Sequence, residues 1–191
     1  MGVAPGGAAV IDTKIGAVWW DPDSDLRHPL PFVLGSNSLS ADGTRFGGTG
    51  ADGHYSLFDT ATGDEVIRLE KPKGMAQSAR AGLSSAVFSD DGQAFAAVNQ
   101  GDDIWLDGNV GIWNLRTGAL TQQINVNVTR GVRMALSPSG DRLLTSEVST
   151  ERLKLWQIPG GRLLRTFPVG AWRGGMAFLA DGKHFITGWR C

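Results

Sequence analysis

Aspartates at alternate positions open an oxygen cage for calcium, and Asp21, Asp23 and Asp25 stand at that spacing in DPDSD. The cage also needs glycine at its sharp turn and a bidentate glutamate to close it. Leu26 and Phe32 occupy those places, so no metal site is expected. His28, His54 and His184 have no ligand-type spacing, and the single cysteine is the last residue, Cys191, which leaves neither a zinc set nor an intrachain disulfide. The GxSxG signature of a hydrolase nucleophile is absent. The glycines around Gly47 to Gly50 fall between expected strands and not before a helix, so they form no phosphate cradle. The expectation is a chain without catalytic residues, metal or cofactor.

Residues suited to holding a partner are easier to find. Trp105 lies in GDDIWLDG beside Asp102 and Asp103, an aromatic anchor with a polar rim. Its alternative is to fold back and bury itself against its own sheet. Lys71, Lys73 and Arg80 in KPKGMAQSAR, with Arg27 in the connection from Asp21 to Phe32, would favour an acidic partner, or else form solvated surface. Trp19 and Trp20 point to opposite faces if their segment is a strand.

The elements that must position these residues come from a repeat. SADG ending at Gly43, SDDG at Gly92, SPSG at Gly140 and LADG at Gly182 recur roughly every 42 to 49 residues. Between them lies a second turn: IDTKIG ending at Gly16, FDTATG at Gly63, WNLRTG at Gly118 and WQIPGG at Gly161. Each first turn joins two apolar arms, as in LSSAVFSDDGQAFAAV, and so predicts a hairpin. Each second turn follows a large residue (Ile11, Phe58, Trp113, Trp156) and a polar one (Asp12, Asp59, Asn114, Gln157), and leads to an outer strand such as DEVIRLE.

These segments resemble the WD repeat, whose blades read as strand, Ser-Pro-Asp-Gly turn, strand, Asp-Gly turn, strand ending in Trp-Asp, then Thr-Gly and an outer strand. DGHYSLFD from Asp52 and DGNVGIWN from Asp107 carry the third strand almost whole. The resemblance covers nearly the whole chain and implies an all-β propeller of divergent, bacterial-type blades. In it Phe58, Asp59, Trp113, Trp156 and the turn glycines 43, 92, 140, 182, 63, 118 and 161 are the structural repeat. No Gly-His pair precedes an inner strand, so the family's buried His-Asp-Trp network is expected to give way to packing.

With strands lettered a to d from the inside outward, the chain reads as a c–d half-blade at 8–20, whole blades at 33–70, 82–126 and 132–167, and an a–b half-blade at 172–190. Three complete four-stranded blades and two halves make about four blade equivalents in a single domain. The plainest reading is a piece of a longer propeller. A four-bladed ring closed by the two halves, and an eight-bladed ring of two copies, are the alternatives.

Composition agrees with many tight turns between short, heavy strands: 27 glycines accompany 7 tryptophans and 8 phenylalanines. Eighteen basic and 19 acidic residues are spread without blocks, which argues against nucleic acid or an anionic membrane as partner. The N-terminus lacks the features of a signal peptide, and no run reaches the length of a spanning helix, so a cytoplasmic location is expected. The a–b and c–d turns are uniformly tight, whereas the b–c and d–a connections vary in length. That second face is the expected site for a protein or peptide partner, which makes the chain a non-catalytic interaction scaffold. The alternatives are a sensor or scaffold domain of a larger bacterial enzyme such as a kinase or protease, and a propeller enzyme with a central-channel site.

Overall fold

The computed structural model describes residues 2–3, 9–13, 16–20, 23–25, 27–30, 32–50, 54–70, 72, 83–99, 109–126, 132–147, 151–168 and 175–188. The strands among them are β1 (Gly2–Val3), β2 (Ala9–Thr13), β3 (Gly16–Trp20) and β4 (Arg27–Leu30), then β5 (Phe32–Leu39), β6 (Arg45–Gly50), β7 (Tyr55–Asp59) and β8 (Glu65–Arg68). They continue with β9 (Leu83–Phe88), β10 (Ala94–Asn99), β11 (Asn109–Asn114) and β12 (Leu120–Asn125). The last are β13 (Val132–Leu136), β14 (Arg142–Glu147), β15 (Arg152–Gln157), β16 (Arg162–Pro168), β17 (Met176–Phe178) and β18 (Phe185–Thr187).

Each run of four is an antiparallel meander in chain order, and β17–β18 is a hairpin. The first strands of successive sheets pack on one another, β5 against β9, β9 against β13 and β13 against β17. That is the radial stacking of propeller blades with strand a innermost. Among the described residues no helix is long and apolar enough to cross a membrane.

The stacking follows from burial on both faces. Along β10, Phe95 and Ala97 join Tyr55, Leu57 and Trp113 in the core shared with the preceding sheet. Ala96 and Val98 join Met134, Leu136 and Trp156 in the core shared with the next. Likewise, Leu143 on β14 faces back and Leu144 faces forward, toward Met176, Phe178 and Phe185. A period of two in a strand apolar on both sides therefore glues each sheet to two neighbours. The glycine run of β6 belongs to this packing: a side chain at Gly47 would meet the Phe95 ring at 2.6 Å, so the bare backbone makes room for it.

The first sheet differs from the half-blade expected over 8–20. β2 and β3 are that pair, but β1 adds to the β2 edge (Gly2↔Val10, Val3↔Ala9) and β4 to the β3 edge (Trp19↔His28, Trp20↔Arg27). Neither added strand carries the repeat: β1 has two residues and β4 includes Pro29, so no alternation announced them. The effect on closure is direct, because the β2 edge where an outside strand b would pair is already taken.

One further regularity was not expected. Each complete blade has a register shift in its c–d pair, between Leu57 and Phe58, Ile112 and Trp113, and Leu155 and Trp156. The extra residue falls on the outer strand, at Val66, Thr121 or Leu164. All three are exposed, which explains how two large hydrophobics come to face water.

Candidate functional site

Two ends of the stacked sheets are available, one carrying the a–b and c–d turns and the other the b–c and d–a connections. The turn end is built almost entirely of self-satisfied hydrogen bonds. In the second sheet Ser40 Oγ donates to Asp42 Oδ1 at 2.6 Å and accepts from Arg45 N at 2.9 Å, while Gly43 N reaches Ser40 O at 2.9 Å with Gly43 at φ 70°. The third sheet repeats this with Ser89, Asp91, Gly92 and Ala94. In SPSG the acid is displaced, and Asp141 accepts from Ser137 Oγ at 2.7 Å and from Ser139 Oγ at 2.8 Å. The last hairpin has Leu179 where serine stands elsewhere. There Asp181 instead takes the backbone N–H groups of Lys183 and His184 and the His184 ring.

The carboxyls of Asp42, Asp141 and Asp181 sit below their ordinary range, Asp42 chiefly through Ser40 Oγ and then Thr44 N, and Asp181 through the backbone and then the ring of His184. For Asp141, burial pushes the other way and the two serine hydroxyls outweigh it.

The c–d turns use the residue after the large one. Asp59 Oδ1 accepts from Ala61 N at 2.8 Å and Thr62 N at 3.0 Å, and Asn114 Oδ1 accepts from Arg116 N at 2.9 Å. Their carbonyls take Gly63 N and Gly118 N. This is an Asx turn, and it needs a short polar side chain two residues before the N–H it caps. In the fourth sheet Gln157 stands there and accepts from the Arg162 guanidinium instead.

The large residues before these turns are buried, with Phe58, Trp113 and Trp156 at most 8% exposed. Trp113 Nε1 donates across the sheet junction to Glu70 O at 2.7 Å, and Leu120 N donates to Glu70 Oε2 at 2.9 Å. Trp156 Nε1 donates within its own sheet to Thr145 Oγ1 at 2.9 Å. The expectation of packing alone is therefore corrected, because both indoles also have a buried or cross-junction acceptor. The c–d turns of the third and fourth sheets also dock on the preceding outer strand, Gly118 against Ile67 and Arg68, and Gly161 against Gln122 and Ile124. Glu70, Thr145 and Gln122 have no signature in the linear pattern and were missed.

At the other end, Arg27 lies exposed on β4, 3.0 Å from Asp25 Oδ1. Asp25 also accepts from Trp20 Nε1 at 2.8 Å, and these bonds, Trp20 first, hold its carboxyl low. So Trp20, half-buried, and Asp25, at φ 51°, form a surface knot with Arg27. Trp105, Asp102, Asp103, Lys71, Lys73 and Arg80 lie outside the described residues, as do Asp21, Cys191 and the side chains of Trp19 and His28. His54 is half-buried beside β7 and His184 is exposed beside Asp181, on different sheets. Among the described residues no three acidic, histidine or cysteine side chains are grouped to hold a metal.

Two clefts open at blade junctions. One of about 310 Å³ separates the second and third sheets at the turn end, and one of about 360 Å³ lies between β12 and the Gly160–Gly161 turn.

Comparison with known proteins bears on these repeats. No protein-family model matches the chain. It is 23% identical over 158 residues to the WD repeat-containing protein sll1491 of Synechocystis sp., covering 82% of this chain and 41% of that protein. It is 36% identical over 66 residues to the WD repeat-containing protein slp1 of Schizosaccharomyces pombe, covering 33% of this chain and 13% of that protein. Both relatives are WD repeat-containing proteins, and the fold of this chain is that of stacked β-propeller blades. The chain also superposes on a chain of Kuenenia stuttgartiensis hydrazine synthase with a TM-score of 0.66 at 14% identity, covering 96% of the one and 53% of the other. At that identity the likeness concerns the fold. The chain spans less than half the length of either WD-repeat relative and about half of the matched structure.

Proposed function

We propose that this chain is a non-catalytic propeller scaffold that holds a protein or peptide on the face of the b–c and d–a connections. The observation that supports the reading is the division of labour between the two ends. At the turn end the polar side chains of the repeat are used by the turns themselves, and the turns dock on neighbouring strands. The opposite connections differ in length from blade to blade, as between β6 and β7 against β10 and β11. Variable loops on a rigid frame are where such folds place recognition. Trp105, flanked by Asp102 and Asp103, is the anchor in this reading, with Lys71, Lys73, Arg80 and Arg27 biasing the face toward acidic partners. A cytoplasmic setting belongs to the same reading.

The test compares a loop-face variant (Trp105→Ala, Lys71→Ala, Lys73→Ala) with Lys183→Ala at the turn end. Partners are captured on each and quantified by mass spectrometry, with thermal unfolding measured in parallel. Selective loss of the same partners from the loop-face variant is expected. Equal retention by both, with unchanged unfolding, refutes the face. A second reading, a sensor or scaffold part of a larger enzyme, draws support from the partial coverage of the relatives.

A further inference from the structure

Successive a–b turns meet differently at successive blade junctions. Between the third and fourth sheets they stack: Asp91 N donates to Pro138 O at 3.0 Å, and a side chain at Gly140 would meet Ala94 Cβ at 2.8 Å. One junction earlier the corresponding bond, from Asp42 N to Asp90 O, is not among the backbone bonds of the described residues, and the space beside Gly92 is open within 4 Å. The sequence accounts for the contrast. Arg45 stands at the blade position of Ala94, two residues after the turn glycine, and Arg116 stands at the c–d turn position of Pro159. A guanidinium replaces a methyl at the seam, and the 310 Å³ cleft is what remains.

The walls of the cleft are chemically specific. Arg45 and Arg116 face it from two different blades; Arg45 lies near enough to Asp42 to help lower its carboxyl, and Arg116 is exposed on the c–d turn of the third sheet. Phe88 and Leu115 supply an apolar floor. Asp42 and Asp91 also line it, each committing Oδ1 to its own turn. Asp42 and Asp91 offset Arg45 and Arg116, so the cleft is neutral; a monoanionic carboxylate adds one charge beside two guanidinium forks, where a dianionic phosphate would add two.

We propose that this inter-blade cleft, at the end opposite the loop face, binds the acidic side chain of a peptide segment, its carboxylate held between Arg45 and Arg116 and its methylenes on Phe88 and Leu115. The site is independent of the loop-face reading and would make the propeller two-sided.

The probe is acetyl-Ala-Ala-Glu-Ala-Ala-amide, titrated into the ¹⁵N-labelled protein with the Nε–H signals of Arg45 and Arg116 and the Gly92 amide as readouts. Saturable shifts at all three are expected, with at least about fivefold weaker binding to Arg45→Ala or Arg116→Ala and to the Glu→Gln peptide. The loop-face triple variant should bind the probe unchanged, which separates failure here from failure of that reading. Three results overturn the proposal: no saturation, equal response to the Glu and Gln peptides, or tighter binding of inorganic phosphate than of the carboxylate peptide.

Discussion

Replacing Thr145 by valine tests whether the Trp156 indole depends on a specific acceptor. Thr145 is fully buried on β14, and its Oγ1 takes the Trp156 N–H at 2.9 Å, with Trp156 8% exposed. Valine keeps the shape but strands the indole donor away from water, which costs about 1–3 kcal/mol. The methyl that replaces the hydroxyl returns up to about 0.8 kcal/mol of burial. The net expectation is a loss of about 1–2 kcal/mol. Thr145→Ser gives a comparable loss for a different reason, since it keeps the acceptor and removes a methyl. The decisive step is therefore a double-mutant cycle with Trp156→Phe, which deletes the donor and retains an aromatic body. In that background Thr145→Val should become neutral or stabilising, giving a coupling of at least about 1 kcal/mol. Urea unfolding followed by far-UV circular dichroism at constant slope supplies the numbers. A coupling under about 0.3 kcal/mol would mean that the indole finds other satisfaction, and the argument for a polar link in this blade would be lost.

Phe95→Ala should cost about 3–5 kcal/mol in the same assay, because the ring fills the seam between two blades against Gly47, Phe88 and Trp113. By contrast, Val66→Ser and Leu164→Ser should stay within about 0.5 kcal/mol, since the outer-strand bulges expose both; a larger loss would show that those residues are covered. Ser89→Ala should lose about 1–2 kcal/mol by orphaning Ala94 N at the head of β10, while Leu179→Ala should not show a hydrogen-bond penalty of this kind. The Asp42 carboxyl is lower folded than unfolded, so the folded state binds fewer protons in acid. Its contribution is complete above the usual carboxylate value of about 3.9 and is lost as pH falls through the depressed folded value. Asp42→Asn should flatten that part of the acid limb of a pH–stability curve, and an unchanged limb would count against the Ser40–Asp42–Thr44 arrangement.

Reading the chain as residues reached the fold through two short signals, the glycine-ended turns and the large residue ahead of every second one. Both are local: a turn needing a positive φ and an Asx cap advertises itself within five residues, as Ser40 to Thr44 and Asp59 to Gly63 show. The identity of the strands between them needed only the alternation that β10 displays. Glu70 was invisible because its partners, Trp113, Gly118 and Leu120, lie more than forty residues away, and nothing in LEKPKG marks it as a junction residue. β1 and β4 escaped for the opposite reason, being too short or too proline-bound to carry a pattern.

By itself, then, the order of residues settled the all-β character and the turn chemistry, because each depends on neighbours along the chain. How blades meet was decided only in three dimensions. Which indole reaches which acceptor, where a bulge turns valine outward, and whether two turns close on alanine or part around arginine depend on atoms from different sheets. Such contacts leave no periodic trace in a single sequence, since one residue at a seam can change them without disturbing the repeat.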